Sequence, residues 1–180
     1  MARVPPDDAA LHLVVDFCNT HDLLAEPPDR LTVARARAIA DRHGRAELTA
    51  RLREADLPAL KAVRSRLYAV FAADTAADKA AELNALLERQ GAAARLVDVG
   101  GEDFRMAATG GRDPVSRLAV VLADALARAL AEGGAQRLRT CIGDPCRCVY
   151  VDRTRAGRQR YCCELCNDRM ASAAYRRRKV

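Results

Sequence analysis

Residues 141–166 read CIGDPCRCVYVDRTRAGRQRYCCELC, and their six cysteines decide the fold of the chain's C-terminal end. Cys141-x4-Cys146 and Cys162-x3-Cys166 form two short-spaced pairs separated by fifteen residues. A tetrahedral structural zinc site needs that pattern. Thiolates are soft ligands, and four of them saturate zinc and leave no position for a catalytic water. Gly143 and Pro145 lie inside the first pair, so it can fold as a tight knuckle with both sulfurs turned inward. Cys148 to Asp152 has an extended character, Thr154 to Gly157 can turn, and Arg158 to Tyr161 can return as a second strand. Cys166 then falls in the first turn of a helix running to about Lys179, where a helix N-terminus favours thiolate charge. The expectation is a small treble-clef-like zinc finger holding one structural Zn²⁺.

Cys148 and Cys163 are surplus to a four-ligand site. Either Cys162 (i, i+4) or Cys163 (i, i+3) can pair with Cys166 on a helix start, and Cys162 is the preferred member. The histidines at 12, 21 and 43 all lie far upstream, so an all-cysteine ligand set is expected. Cys18 has no cysteine neighbour and reads as a core residue. The tail offers few large apolar side chains, and a module this small needs a staple. Structural zinc supplies on the order of 10–16 kcal/mol of coupled folding free energy.

The same segment carries the charge. From Arg137 to Val180 there are twelve Lys or Arg and four acids, so the tail holds +8 of a net +6 and residues 1–136 hold −2. Arg153, Arg155, Arg158 and Arg160 crowd the expected turn, while Arg169, Arg176 and Lys179 fall on one stripe of the terminal helix. A zinc-stapled module with a basic face fits nucleic acid, with these seven residues as the candidate phosphate contacts.

Upstream, the pattern is helical. Half of the sequence is apolar, only 4% is aromatic and Trp is absent, which favours helices packed through Leu, Val and Ala. Helical period runs over 31–53 with a break near Gly44, then over Pro58–Phe71, Asp74–Arg89 and Val115–Glu132. Asp56 is placed to cap the second of these. Residues 94–108 switch to two extended runs around Gly100-Gly101, a hairpin signal. The fold class is therefore mainly α with a small β-hairpin (α+β) over residues 1–134, followed by the finger at 135–180. Residues 11–15 suit either a buried strand or a first helical turn, and Asp16, Asn19 and Thr20 behind them read as turn and cap groups or as a candidate ligand pocket. The apolar run of residues 1–20, Leu11 to Val15, is broken by His12 and is too short for a signal peptide or membrane span, no later segment reaches about 18 apolar residues, and the expected localisation is cytoplasmic. No nucleophile–base pair or phosphate-cradling glycine loop is evident, so an enzyme is not expected.

The segment CIGDPCRCVYVDRTRAGRQRYCCELCNDRMASAAYRRR resembles the CGNR zinc finger. The shared features are the Cys141/Cys146 knuckle, Val149 to Asp152, the arginine-rich turn, Tyr161-Cys162 and Cys166-Asn167-Asp168-Arg169. The namesake motif reads Cys-Asn-Asp-Arg in place of Cys-Gly-Asn-Arg. The resemblance supports Cys162 as the third ligand. The N-terminal part, through Val14-Val15-Asp16-Phe17-Cys18-Asn19-Thr20 and Pro27-Pro28-Asp29-Arg30-Leu31, resembles the ABATE domain. Members are described as stress-induced transcriptional regulators. The resemblance thus implies DNA as partner for the finger, and sensing or homodimerisation for the larger domain. The alternative is an adaptor whose finger docks on a protein such as the transcription machinery.

Overall fold

The fold is that of a computed structural model, which describes residues 9–100 and 103–179. Gly101, at the tip of the expected hairpin, lies outside them. The element order is α1 (Ala9–Cys18), α2 (Val33–Arg42), α3 (Leu57–Ala72), α4 (Ala76–Arg89), β1 (Ala93–Gly100), β2 (Asp103–Thr109), α5 (Pro114–Ala129), β3 (Leu138–Thr140), β4 (Val149–Val151) and α6 (Glu164–Arg178). The expected class holds: packed helices, two short antiparallel hairpins and a cysteine-clustered finger.

Helix α5 is the axis of the core and packs on α1, α3, α4 and β2. Leu118, Leu122 and Leu126 repeat at i, i+4 and are 1% exposed or less, alongside Ala119 and Ala123. Small alanines between leucines let the neighbouring helices approach closely. Asp113 caps α5 by accepting the Ser116 N–H at 2.9 Å, and Pro114 fits the first turn. After Ala129 the helix widens into a π-turn over Leu130–Gly134, where Gly133 takes φ +82° and frees the chain from the axis. Thr32 and Thr75 cap α2 and α4 in the same manner as Asp113.

The ambiguous run at 11–15 is helical, with Leu11, Leu13, Val14 and Phe17 in the core. Asp56 stands at the start of α3 but bonds backward, to the Arg53 N–H at 2.7 Å. A 3₁₀ turn over Glu54–Asp56 already runs into α3, so Asp56 has helical dihedrals and its carboxylate closes the earlier turn. No helix of the described residues is long and apolar enough to cross a membrane.

In the finger the strand pairing differs from the expectation. β4 pairs with β3 (Leu138↔Val151, Arg139↔Tyr150, Thr140↔Val149), and residues 158–161 form no strand. The knuckle therefore sits inside the hairpin loop. Side chains hold the return segment in place of a ladder. Asp152, fully buried, accepts the N–H groups of Thr154 and Gln159, both at 2.9 Å. Arg139 donates to the carbonyls of Gly157 and Gln159, at 2.9 and 3.2 Å, and Arg137 donates to those of Asp152 and Thr154. Curled around one carboxylate, the segment cannot extend.

The main core crosses into the finger. Leu138 and Val149 are each 1% exposed within it, while Cys141, Cys146, Tyr150 and Cys166 form a separate small cluster. The finger thus rests on the helical body through one face of its hairpin.

Candidate metal centre

Four sulfurs converge at the end of the β3–β4 hairpin. The Sγ atoms of Cys141, Cys146, Cys162 and Cys166 all lie within 4.8 Å of one another. Two of the edges measure 3.8 Å (Cys146–Cys162) and 3.7 Å (Cys162–Cys166). Four thiolates about 2.3 Å from a central zinc would stand about 3.8 Å apart, so the donor set has the size of a zinc tetrahedron. Four converging thiols with no disulfide among them are the donor chemistry of a structural Zn²⁺. The four cysteines form a zinc-binding site.

Each ligand is placed by local structure. Gly143 carries no side chain where a Cβ would meet Met170 Cγ at 3.3 Å and Tyr161 Cδ1 at 3.4 Å, so the knuckle can press against α6. The Gly143 N–H points at Cys141 Sγ (3.4 Å), and the Cys148 N–H at Cys146 Sγ (3.5 Å). The Gly143 N–H favours thiolate charge on Cys141. Cys166 lies in the first turn of α6, at the positive end of the helix. Burial pushes the Cys166 thiol up to about 11 and the Cys162 thiol higher still. Zinc must therefore displace protons from the site.

The geometry separates the two adjacent cysteines. Cys162 belongs to the cluster, whereas Cys163 is exposed and occupies the N-cap position of α6. Cys148 is half-buried beside the knuckle, its carbonyl accepting the Cys141 N–H at 2.8 Å. Cys18 is buried in the helical core, where its thiol is pushed up to about 12.

Residues 11–133 match the ABATE family model, described as "Putative stress-induced transcription regulator". The chain belongs to the ABATE family. Residues 137–179 match the CGNR zinc finger, in the order that the sequence reading expected. No curated protein matches the chain.

The seven candidate phosphate contacts of this ABATE chain fall into four groups. Arg155, Arg158 and Arg160 are exposed on the loop after β4. Arg158 and Arg160 line a groove with Glu164 and Asn167 of α6. Arg153, also exposed, points its guanidinium at His12 Nε2, 3.4 Å away. Arg176 and Lys179 are exposed on and just after the last turn of α6, and the Lys179 ammonium lies 4.8 Å above the Tyr175 ring. Arg169 turns inward: it donates to the carbonyls of Gly143 and Asp144 and reaches Cys166 Sγ at 3.8 Å. A zinc tetrathiolate carries a net −2, and Arg169 is the cation placed against it.

Asp16, Asn19 and Thr20 are each engaged by protein partners. Asp16 Oδ2 lies 2.9 Å from His43 Nε2 and 3.3 Å from Arg42. Asn19 bonds the backbone of Val149 twice. Thr20 is buried, donates to the Phe17 carbonyl at 2.7 Å and accepts from Arg64 at 3.0 Å. Arg64 in turn makes a bidentate pair with Asp29 at 2.7 and 3.0 Å. The local sequence pattern gives no sign of Arg64, Arg137 or Arg139, because nothing near them names partners up to 44 residues away.

Proposed function

We propose that this zinc-binding regulator contacts duplex DNA through the outer face of its finger, and that the helical body supplies sensing. The observation that carries the reading is a set of uncompensated cations. Arg155, Arg158, Arg160, Arg176, Arg177 and Lys179 are exposed, and among the described residues none has a carboxylate oxygen within 4.0 Å. Cations that the protein leaves without acidic partners are those available to phosphates. Asn167, in the groove with Arg158 and Arg160, is the polar group best placed near a base edge. Zinc here is scaffold, and the protein is read as a binder rather than a catalyst.

Fluorescence anisotropy with labelled duplex DNA over a range of salt tests this. Affinity should fall with a log–log slope of about −0.9 per phosphate neutralised, and Arg155→Gln and Arg158→Gln should each reduce the slope by about 1. Binding that is absent at low salt, or insensitive to salt, rejects the reading. A second reading, docking on a protein partner, is favoured by one residue: Leu165 at the start of α6 is 80% exposed. A pull-down that survives nuclease and is lost in Leu165→Ser would select it.

A further inference from the structure

Lys79 is a charge buried without an ionic partner. It sits in α4 with 4% of its surface exposed. Its Nζ donates to the carbonyls of Val70 and Phe71, at 2.9 and 3.0 Å. An ammonium has three donors, so one remains. Among the described residues no carboxylate oxygen lies within 4.0 Å of this nitrogen. Burial lowers its pKa, Asp74 opposes that from farther away, and Arg139 adds to it. An ammonium removed from water without a counter-anion is strongly unfavourable, and folded chains seldom keep one without reason.

The surroundings supply the reason. Lys79 lines a cleft of about 500 Å³ at the seam between the helical body and the finger. Phe71 and Ala76 form part of one wall, and Leu138, Arg139, Tyr150 and Arg160 part of the other. The cleft thus carries three cations against one acid, Asp74, and an apolar surface beside them. Its size is that of small-molecule sites. Arg139 spends its donors on carbonyls, so its charge is not neutralised by them. Arg160 is exposed at the cleft.

We infer that this seam cleft is a binding site for a small organic oxyanion, a carboxylate or phosphate carried on an apolar body, with Lys79 as the buried counter-charge. The anionic head neutralises the Lys79 side of the cleft, and the body lies on the exposed apolar surface of Ala72, Ala76 and Ile142. Because the walls come from both units, an occupant contacts helical body and finger at once. The inference deepens the sensing half of the proposed function and rests on that reading for its biological purpose only. The site itself is defined without DNA.

The test is calorimetric titration of the zinc-loaded full chain with phenyl phosphate, benzoate, inorganic phosphate and neutral benzyl alcohol. Saturable binding of phenyl phosphate or benzoate is expected, at least tenfold tighter than benzyl alcohol and inorganic phosphate. The tighter of the first two assigns the head group. Lys79→Met keeps the stem, removes the charge and should lose at least tenfold in affinity. Arg160→Gln, an exposed change that spares the fold, should lose several-fold. The Arg155→Gln/Arg158→Gln pair, outside the cleft, should bind the probes as the wild type does. No saturable binding by either organic anion, equal binding by inorganic phosphate, or unchanged binding in Lys79→Met overturns the proposal. Arg160 belongs to both surfaces, so DNA affinity measured on the wild type, Lys79→Met and the Arg155→Gln/Arg158→Gln pair reports separately on the basic face, and either idea can fail alone.

Discussion

The Asn19 side chain pairs with the backbone of Val149 as a strand neighbour would, its Nδ2 donating to the carbonyl at 2.9 Å and its Oδ1 accepting the N–H at 2.8 Å. The two residues are 130 positions apart. Asn19 follows directly after α1, and Val149 opens β4, so this amide buckles the finger to the helical body. Asn19→Ala should destabilise the chain by about 1–3 kcal/mol, because a partly buried strand N–H and C=O lose their partners. Asn19→Asp keeps an acceptor for the N–H but sets a carboxylate against the carbonyl, and should cost more than the alanine change. Urea denaturation of the zinc-loaded protein measures both, and a change under 0.5 kcal/mol in Asn19→Ala would show the buckle to be idle.

Asp29 and Arg64 give the pH dependence. The Arg64 guanidinium, helped by Lys61 and the Leu31 N–H, holds the Asp29 carboxyl well below the usual range. A carboxylate with a depressed native pKa adds stability that is present above its unfolded value, near pH 4, and is lost as pH falls toward the native value. Asp29→Asn should therefore cost about 1–3 kcal/mol at pH 7, with a penalty that shrinks on acidification below about pH 4. The Asp29 carboxylate is about a third exposed, which places the expectation toward the lower end. Denaturation midpoints of both proteins from pH 7 to 3 check this; parallel curves would contradict the pairing.

Arg169 separates two roles that the sequence could not. Turned to the knuckle carbonyls and Cys166 Sγ, it should act on the metal. Arg169→Ala should lower zinc affinity by about 10–100-fold, read by competition with a chromogenic chelator. Undiminished zinc affinity together with lost DNA binding would place Arg169 on the nucleic-acid face instead.

How far the sequence could be read follows from these residues. Helices α3, α4 and α5 were legible because their leucines and valines repeat at three and four, and the ligand cysteines because their spacing admits few geometries. The partner of β4 was not. Residues 158–161 look like a returning strand, yet Asp152 curls them into a loop and leaves Leu138–Thr140 as the partner. Local pattern carries no record of a buried carboxylate that collects backbone N–H groups seven residues on. The same holds for Lys79, whose burial depends on helix ends and a finger strand meeting around it.

Asp152→Asn probes that loop. Asp152 is fully buried and lies 3.8 Å from Arg137, itself nearly buried. Removing the charge should destabilise the finger by about 3–5 kcal/mol, while the zinc content of the folded protein stays at one equivalent. Zinc loss at full stability would contradict this.

The most direct test is X-ray absorption at the zinc edge together with metal stoichiometry on the wild type, Cys162→Ser and Cys163→Ser. The account predicts one zinc with four sulfurs at about 2.3 Å, retained in Cys163→Ser and lost or reduced to three sulfurs in Cys162→Ser. Zinc kept by Cys162→Ser with all four sulfurs, or a finger that stays folded without metal, would contradict it.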